Sequence, residues 1–317
     1  MFSRQTPTDS RRPVPCTHRS PRLRHLVGAL LIIFLIAALA TPQAGICAEP
    51  VFSIECPERV EPGQPFTCRV ISRVDFERVT VTWLDRTVRL NMTANKGRHQ
   101  ADILLGTDVK TFSQESAEVT ICGYKDGMSV TSGHRLHFTE ASFPTQRLSL
   151  PPDKVSLSEQ ALSRHRKEKA TVTRALSLYS AQSRWSLPLK RPVPGEISTV
   201  YGVKRILNGK PRSPHRGVDF RTGLGDPIQS CADGVVALTG NHFFAGNSVY
   251  VHHGQGMVSM YFHLSEISVQ EGQTIERGQP VGLSGQTGRV TGPHLHFGLS
   301  LLGNLVDPLP LMNSSEE

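Results

Sequence analysis

The sequence predicts a mostly β protein: an N-terminal β-sandwich, a linker containing a helix, and a C-terminal antiparallel β domain. Three observations carry this. From Val51 to about Thr139, short β-rich or alternating runs are separated by turn residues; residues 157–184 contain neither Pro nor Gly; and Gly195 to Asp307 is dense in Gly between short apolar runs. A length of 317 residues suits two domains, and 38% hydrophobic and 20% charged residues with 27 Gly and 22 Pro describe a folded chain rich in turns. Wholesale disorder, collagen and a polytopic membrane protein are excluded.

The formal net charge of +8 sits largely at one end. Residues 1–48 hold six Arg and one Asp, so of 35 basic and 27 acidic residues the remainder keeps 29 and 26. A balance of +3 gives no ground to expect a nucleic-acid partner. The same segment has the outline of an export signal: an Arg-rich start, the 15-residue apolar run Leu26–Ala40, then small residues up to Ala48. The run is short of the ~20 residues that span a bilayer comfortably, which favours a cleaved signal over a permanent inner-membrane anchor. Cys47 follows Ile46 instead of the small residue a lipidated Cys requires. The expected organisation is a signal segment or anchor at 1–48, a β domain at 49–140, a helix-containing linker at 141–190 and a second β domain at 191–312, exported to the periplasm or cell envelope.

In the outer domain Ser53–Cys56, Pro65–Ile71, Val79–Trp83, Glu118–Cys122 and His134–Phe138 are the strand candidates, with Glu61-Pro-Gly-Gln and Asp126-Gly as turns. The order Cys68, Trp83, Cys122 resembles the immunoglobulin pattern, and that resemblance implies an immunoglobulin-like sandwich with a Cys68–Cys122 disulfide over a buried Trp83. Cys56 has no assigned partner, and Asn91-Met-Thr is read as a chance sequon match. In the linker, Leu157–Arg184 should be largely helical, with Val172, Ala175, Leu176 and Tyr179 on one face; the basic stretch from Arg164 to Lys169 reads as its solvated side.

The chemistry lies in the last hundred residues, where seven of the 13 His fall within positions 215–296. His215 and Asp219 are four apart, and Pro214 and Gly217 favour an extended segment that keeps both on one side. His294 and His296 are two apart, so they share a strand face while Leu295 and Phe297 point to the other. His263, in Tyr261-Phe-His-Leu, completes the set. Imidazole nitrogens and a carboxylate oxygen suit zinc, and a catalytic site needs three of them with one position left for water or substrate. His242, His252 and His253 read individually as structural.

These motifs, His215-x-x-x-Asp219, Tyr261-Phe-His263-Leu and Gly292-Pro-His294-Leu-His296-Phe, resemble those of the lysostaphin-like zinc metallopeptidases, the M23 or LytM family of peptidoglycan endopeptidases. The likeness spans about Trp185–Pro308 and takes in Tyr201-Gly, Arg205-x-x-Asn-Gly, Ala232-Asp-Gly-Val and Val306-Asp-Pro. It implies that His215, Asp219 and His296 bind one Zn2+ per chain, and that His263 and His294 are catalytic, one as proton carrier and the other as hydrogen-bond donor, without fixing which is which. It implies peptidoglycan peptides as substrate, with the D-Ala to diamino-acid cross-link as one target. Asn208 reads as structural or substrate-contacting, and Cys231 as a free core thiol or, less favoured, a partner of Cys56. The competing reading is a non-enzymatic peptidoglycan-binding protein that activates a wall hydrolase, and the N-terminal domain is a candidate contact for an envelope protein. Oligomeric state is not addressed by the sequence.

Overall fold

Residues 50–110, 113–149 and 158–312 are described by a computed structural model, and all fall in one compact unit, Glu49–Glu317. The export segment, with its apolar run, lies outside the described residues. Among the described residues no helix is long and apolar enough to cross a membrane.

The N-terminal region is two sheets. Phe52–Glu55, Phe66–Ser72, Arg98–Leu105 and Thr93–Asn95 form a four-stranded sheet, and Arg59–Val60, Met128–Phe138, Ser116–Lys125, Arg78–Trp83 and Arg86–Leu90 a five-stranded one. Alternation drives the packing: Val79, Val81 and Trp83 turn inward from one strand and Val119 and Ile121 from its neighbour, meeting Cys68, Val70, Ile103 and Leu105 of the other sheet. Trp83 is fully buried, donates its Nε1–H to Gly106 O at 2.8 Å and meets Phe66 edge to face. Asp126-Gly127 makes the expected hairpin turn, both residues having positive φ.

The expected Cys68–Cys122 bridge is wrong. Cys68 pairs with Cys56 (Cα–Cα 4.5 Å), which directly follows the adjacent strand Phe52–Glu55 of its own sheet, and Cys122 is a free, half-buried thiol. Strand parity is the reason. Val119, Ile121 and Gly123 face inward, so Cys122 faces outward. A Cβ on Gly123 would meet Phe52 and Phe76, whose stacked rings fill the space there.

The α-helix covers Glu159–Leu176, capped by Ser158, whose side chain accepts from Ala161 N. It ends eight residues before the expected Arg184. Ser177 O accepts from Arg86 and the Tyr179 hydroxyl donates to Arg89 O, so the chain past Leu176 is committed to the outer region. Val172, Ala175 and Leu176 pack on Leu238, Tyr250, Val258 and Met260, whereas Tyr179 joins the other core. The basic stretch is only partly a solvated face: Arg164 donates to Asn241 O at 2.7 Å, and Glu168 accepts from Phe243 N at 2.9 Å.

The C-terminal region centres on an eight-stranded antiparallel sheet in which Val218–Arg221, His294–Leu301, Met257–Leu264, Gly246–His252 and Gly234–His242 are successive neighbours. A small second sheet joins Pro227–Gln229, Pro280–Leu283 and Glu266–Ile267. Thr145–Leu148, within the expected linker, pairs in parallel with Lys204–Leu207, which turns through Asn208-Gly209 into Lys210–Pro211. Both turn residues have positive φ, the conformation of a two-residue hairpin turn, which accounts for Asn208 on backbone grounds. Cys231 is fully buried and free, as the favoured expectation had it.

The two β regions meet closely. Tyr201 OH accepts from Val109 N (3.2 Å) and donates to Leu305 O (2.7 Å), Asp307 N donates to Gly63 O (2.8 Å), and Arg216 bonds Asp108 at 2.8 Å.

Candidate metal centre and active site

Strand register builds the centre. Asp219 lies directly across from His296, Arg221 from His294, and Phe262 from His296 on its other side. One sheet face therefore carries Asp219, His294 and His296 together, with Phe262 stacked on the His296 ring at 5.3 Å between centroids. Leu295, Phe297 and Tyr261 enter the apolar core on the opposite face. His215 comes from the segment before the first strand, fixed by His215 N to Val203 O at 2.9 Å and Gly202 N to His215 O at 2.8 Å. Gly217 is required between them, because a Cβ there would stand 2.7 Å from His296 Nε2 and 2.5 Å from Phe297 O.

His263 breaks the alternation. One residue past Phe262 it should point to the opposite face, but its φ of +65° turns the side chain back, and its ring lies 4.8 Å from that of His294 and 6.1 Å from that of His296. A left-handed His costs of order 1 kcal/mol and persists where its surroundings dictate it. Here His263 N donates to Ala245 O at 2.8 Å, and Gly285 lets the backbones approach, since a Cβ there would sit 2.3 Å from Ser265 N.

At the centre, Asp219 Oδ1 lies 2.9 Å from His215 Nε2 and 2.8 Å from His296 Nδ1, and those two nitrogens are 2.9 Å apart. His215 Nδ1 donates to Val200 O at 2.9 Å, so a neutral His215 turns an unprotonated Nε2 on this group. Three basic atoms in mutual contact have too few protons to satisfy every pair, and a cation among them satisfies all three. Two imidazole nitrogens and one carboxylate oxygen are a donor set that fits zinc, and their ligand atoms all lie within 4.8 Å of one another. Burial opposes the charged form of Asp219, but the His215 and His296 imidazoles outweigh it and hold its carboxyl below the usual range. His296 is pushed down by burial, against the pull of Asp219.

His263 and His294 stand beside this triad, His294 Nε2 being 4.0 Å from Asp219 Oδ1. Their Nδ1 atoms donate to Thr287 O and Gly292 O, each at 2.9 Å, which leaves both Nε2 atoms for the cleft. Burial, then the neighbouring His296 and His294, push His263 down to about 3. All five expected residues thus come together, while three other His go elsewhere. His253 is fully buried and bonded to Ser259 Oγ (2.7 Å) and Asp233 O (2.6 Å); His242 bonds Ser248 Oγ (2.6 Å); His252 is half-buried. Arg289, which sequence reasoning passed over, lies between Thr287 and Gly292 on the loop that orients both catalytic candidates.

The comparisons with known proteins agree with this geometry. Peptidase family M23 is matched over residues 213–308, a span that contains all five residues. Peptidoglycan DD-endopeptidase ShyA of Vibrio cholerae is 41% identical over 140 residues, 44% of this chain and 30% of its own. The DD-carboxypeptidase/endopeptidase Mpg of Neisseria meningitidis is 39% identical over 95 residues, 30% of this chain and 22% of its own. This chain thus matches less than a third of the length of either relative. A crystal structure of a Pseudomonas aeruginosa protein assigned to peptidase M23 superposes with a TM-score of 0.61 at 27% identity, covering 80% of this chain and 96% of that one. The match to peptidase family M23 thus falls on the C-terminal region of the chain.

Proposed function

We propose that the protein is an exported zinc metalloendopeptidase that hydrolyses peptide bonds in the stem or cross-bridge peptides of bacterial peptidoglycan. The observation that carries this is the convergence of His215 Nε2, Asp219 Oδ1 and His296 Nδ1 within 3 Å of one another, beside two further imidazoles whose Nε2 atoms are left for the cleft. His215, Asp219 and His296 would hold one Zn2+, which when bound polarises a scissile carbonyl and makes water acidic enough to attack at neutral pH. His263 and His294 divide the proton work. One, neutral, accepts the proton of the attacking water at Nε2 and passes it to the departing amine nitrogen, while the other, as an imidazolium protonated at both nitrogens, donates from Nε2 to the oxyanion that develops on the carbonyl. The products are a carboxylate and an amine. Two of the relatives are named for DD-endopeptidase or DD-carboxypeptidase activity, which supports the D-Ala to diamino-acid bond as the target.

The rest of the chain belongs to the same proposal: residues 1–48 as export segment, 49–140 as an immunoglobulin-like domain facing an envelope partner, 141–190 as linker and 191–312 as peptidase, acting in the periplasm or cell envelope. Two facing sheets around a buried Trp83 support the immunoglobulin-like assignment. Incubating the zinc-loaded protein with purified sacculi, with and without a chelator, tests the activity. New amino termini on stem or bridge peptides, absent with chelator, are expected; intact peptides in both arms would refute it.

A further inference from the structure

The hairpin of Gly234–His242 and Gly246–His252 closes through a short tip, Phe243, Phe244 and Ala245, and each of these residues gives one backbone group to a different neighbour. Phe243 N donates to Glu168 Oε2 of the helix Glu159–Leu176 at 2.9 Å. Phe244 O accepts from Arg289 N at 3.1 Å, and Ala245 O accepts from His263 N at 2.8 Å. The tip thus joins the linker helix to the backbone of a catalytic candidate.

Both ends of this path are well defined. At the helix, Glu168 Oε1 accepts from Arg164 Nε at 2.6 Å, and the Glu168 side chain is only 16% exposed. Arg164 Nη2 reaches on to Asn241, donating to its O at 2.7 Å and its Oδ1 at 3.0 Å, just before the tip. The His165 ring meets Phe244 edge to face at 4.7 Å. A carboxylate that accepts from a backbone N–H makes a charge-assisted bond, stronger than one between neutral groups. At the site, Thr287 Oγ1 accepts from Asn247 N (2.9 Å) and donates to Leu264 O (2.7 Å), and Thr287 O accepts from His263 Nδ1 at 2.9 Å. His263 is therefore held by the tip at its N–H and by the neighbouring loop at its ring, with a φ of +65°. The strain of a left-handed residue is comparable with the net worth of one hydrogen bond, so losing one anchor of the tip is enough to shift the balance.

We propose that Glu168 of the linker helix is a positioning residue for His263: by anchoring the tip it fixes the backbone conformation and the Nδ1-protonated ring in which His263 turns Nε2 to the cleft. This rests on the peptidase reading above for what His263 does, and adds the linker helix to the parts that turnover needs.

Glu168→Ala removes the anchor, whereas Glu168→Gln keeps an oxygen that can accept from Phe243 N. NMR of the zinc-loaded full-length protein with isotope-labelled histidine should show His263 protonated at Nδ1. Glu168→Ala should mix its ring tautomers and speed exchange of its amide hydrogen about 10-fold. His253, bonded to Ser259 and Asp233, should keep its signals and serves as the control. On cross-linked stem peptides kcat should fall roughly 10- to 100-fold in Glu168→Ala with KM and zinc content unchanged, and Glu168→Gln should stay within about 3-fold of the unsubstituted protein. Unchanged His263 signals in Glu168→Ala, equal loosening of His263 and His253, undiminished kcat, or a loss carried by KM or zinc content overturns the proposal. The NMR response in a protein that cleaves no stem peptide keeps the link from helix to imidazole and removes the peptidase reading; cleavage with His263 indifferent to Glu168 does the reverse.

Discussion

The two β regions of the molecule differ in what they bury. The outer one encloses an apolar cluster around Trp83, Ile103, Ile121 and Leu136; its buried Thr107 and Asp108 lie where it meets the peptidase region, Asp108 bonded to Arg216. The peptidase region buries His215, Asp219, His253 and His263 as well as its own apolar core, and holds His263 at a positive φ. One sheet pair is therefore held mainly by apolar burial, while the other also uses its burial to hold His215 and Asp219 against His296 in an arrangement that a cation satisfies. Stability in the first is a matter of packing, and in the second it is coupled to chemistry.

Breaking that contrast from the packing side gives the largest stability effect. Trp83→Ala removes a fully buried ring and its hydrogen bond to Gly106 O, and should cost about 3–5 kcal/mol of unfolding free energy by denaturant titration. Zinc uptake per folded chain should be unchanged. Loss of uptake in folded protein would show that the two regions are not separable in this way.

The C-terminal region should respond to acid through His253. Burial pushes His253 down to about 4 from 6.5, opposed by its bond to Asp233 O. The unfolded chain then binds a proton that the folded chain refuses between those values. Stability is complete above about pH 6.5 and falls by about 3 kcal/mol as pH drops to 4. Denaturation across this range in the native protein and in His253→Gln reads the effect, and an equal slope in both would remove His253 as its source.

A smaller effect is expected in the outer region. Reducing Cys56–Cys68, which closes a loop with a sequence separation of 12, should cost about 2–3 kcal/mol in the chain-entropy picture. Peptide mapping under non-reducing conditions should find these two thiols joined and Cys122 free. A Cys122-containing bridge would restore the rejected pairing.

What could be read from the sequence follows the same division. His294 and His296 share a strand face, and two-residue spacing alone says so; the Asp126-Gly127 and Asn208-Gly209 pairs mark turns through their own backbone preferences. The disulfide was misread because the likeness rested on spacing between cysteines, while the parity of Val119, Ile121 and Cys122 within one strand already directed Cys122 outward. The end of the helix at Leu176 was not legible, since nothing local stops it and the contacts of Ser177 and Tyr179 come from residues about 90 positions away. The fine position of His263 depends on a backbone excursion that motif likeness implies only indirectly.

The central claim is that the face shared by Asp219, His294 and His296 divides into metal ligands and proton-handling residues. Zinc content by elemental analysis, beside hydrolysis rate, in His294→Ala and His296→Ala tests it most directly, with circular dichroism to establish folding. His294→Ala should keep its zinc and lose roughly 10²-fold or more in turnover, whereas His296→Ala should lose both metal and activity. A zinc-free His294→Ala beside a fully loaded His296→Ala, or near-normal activity in both, would contradict it.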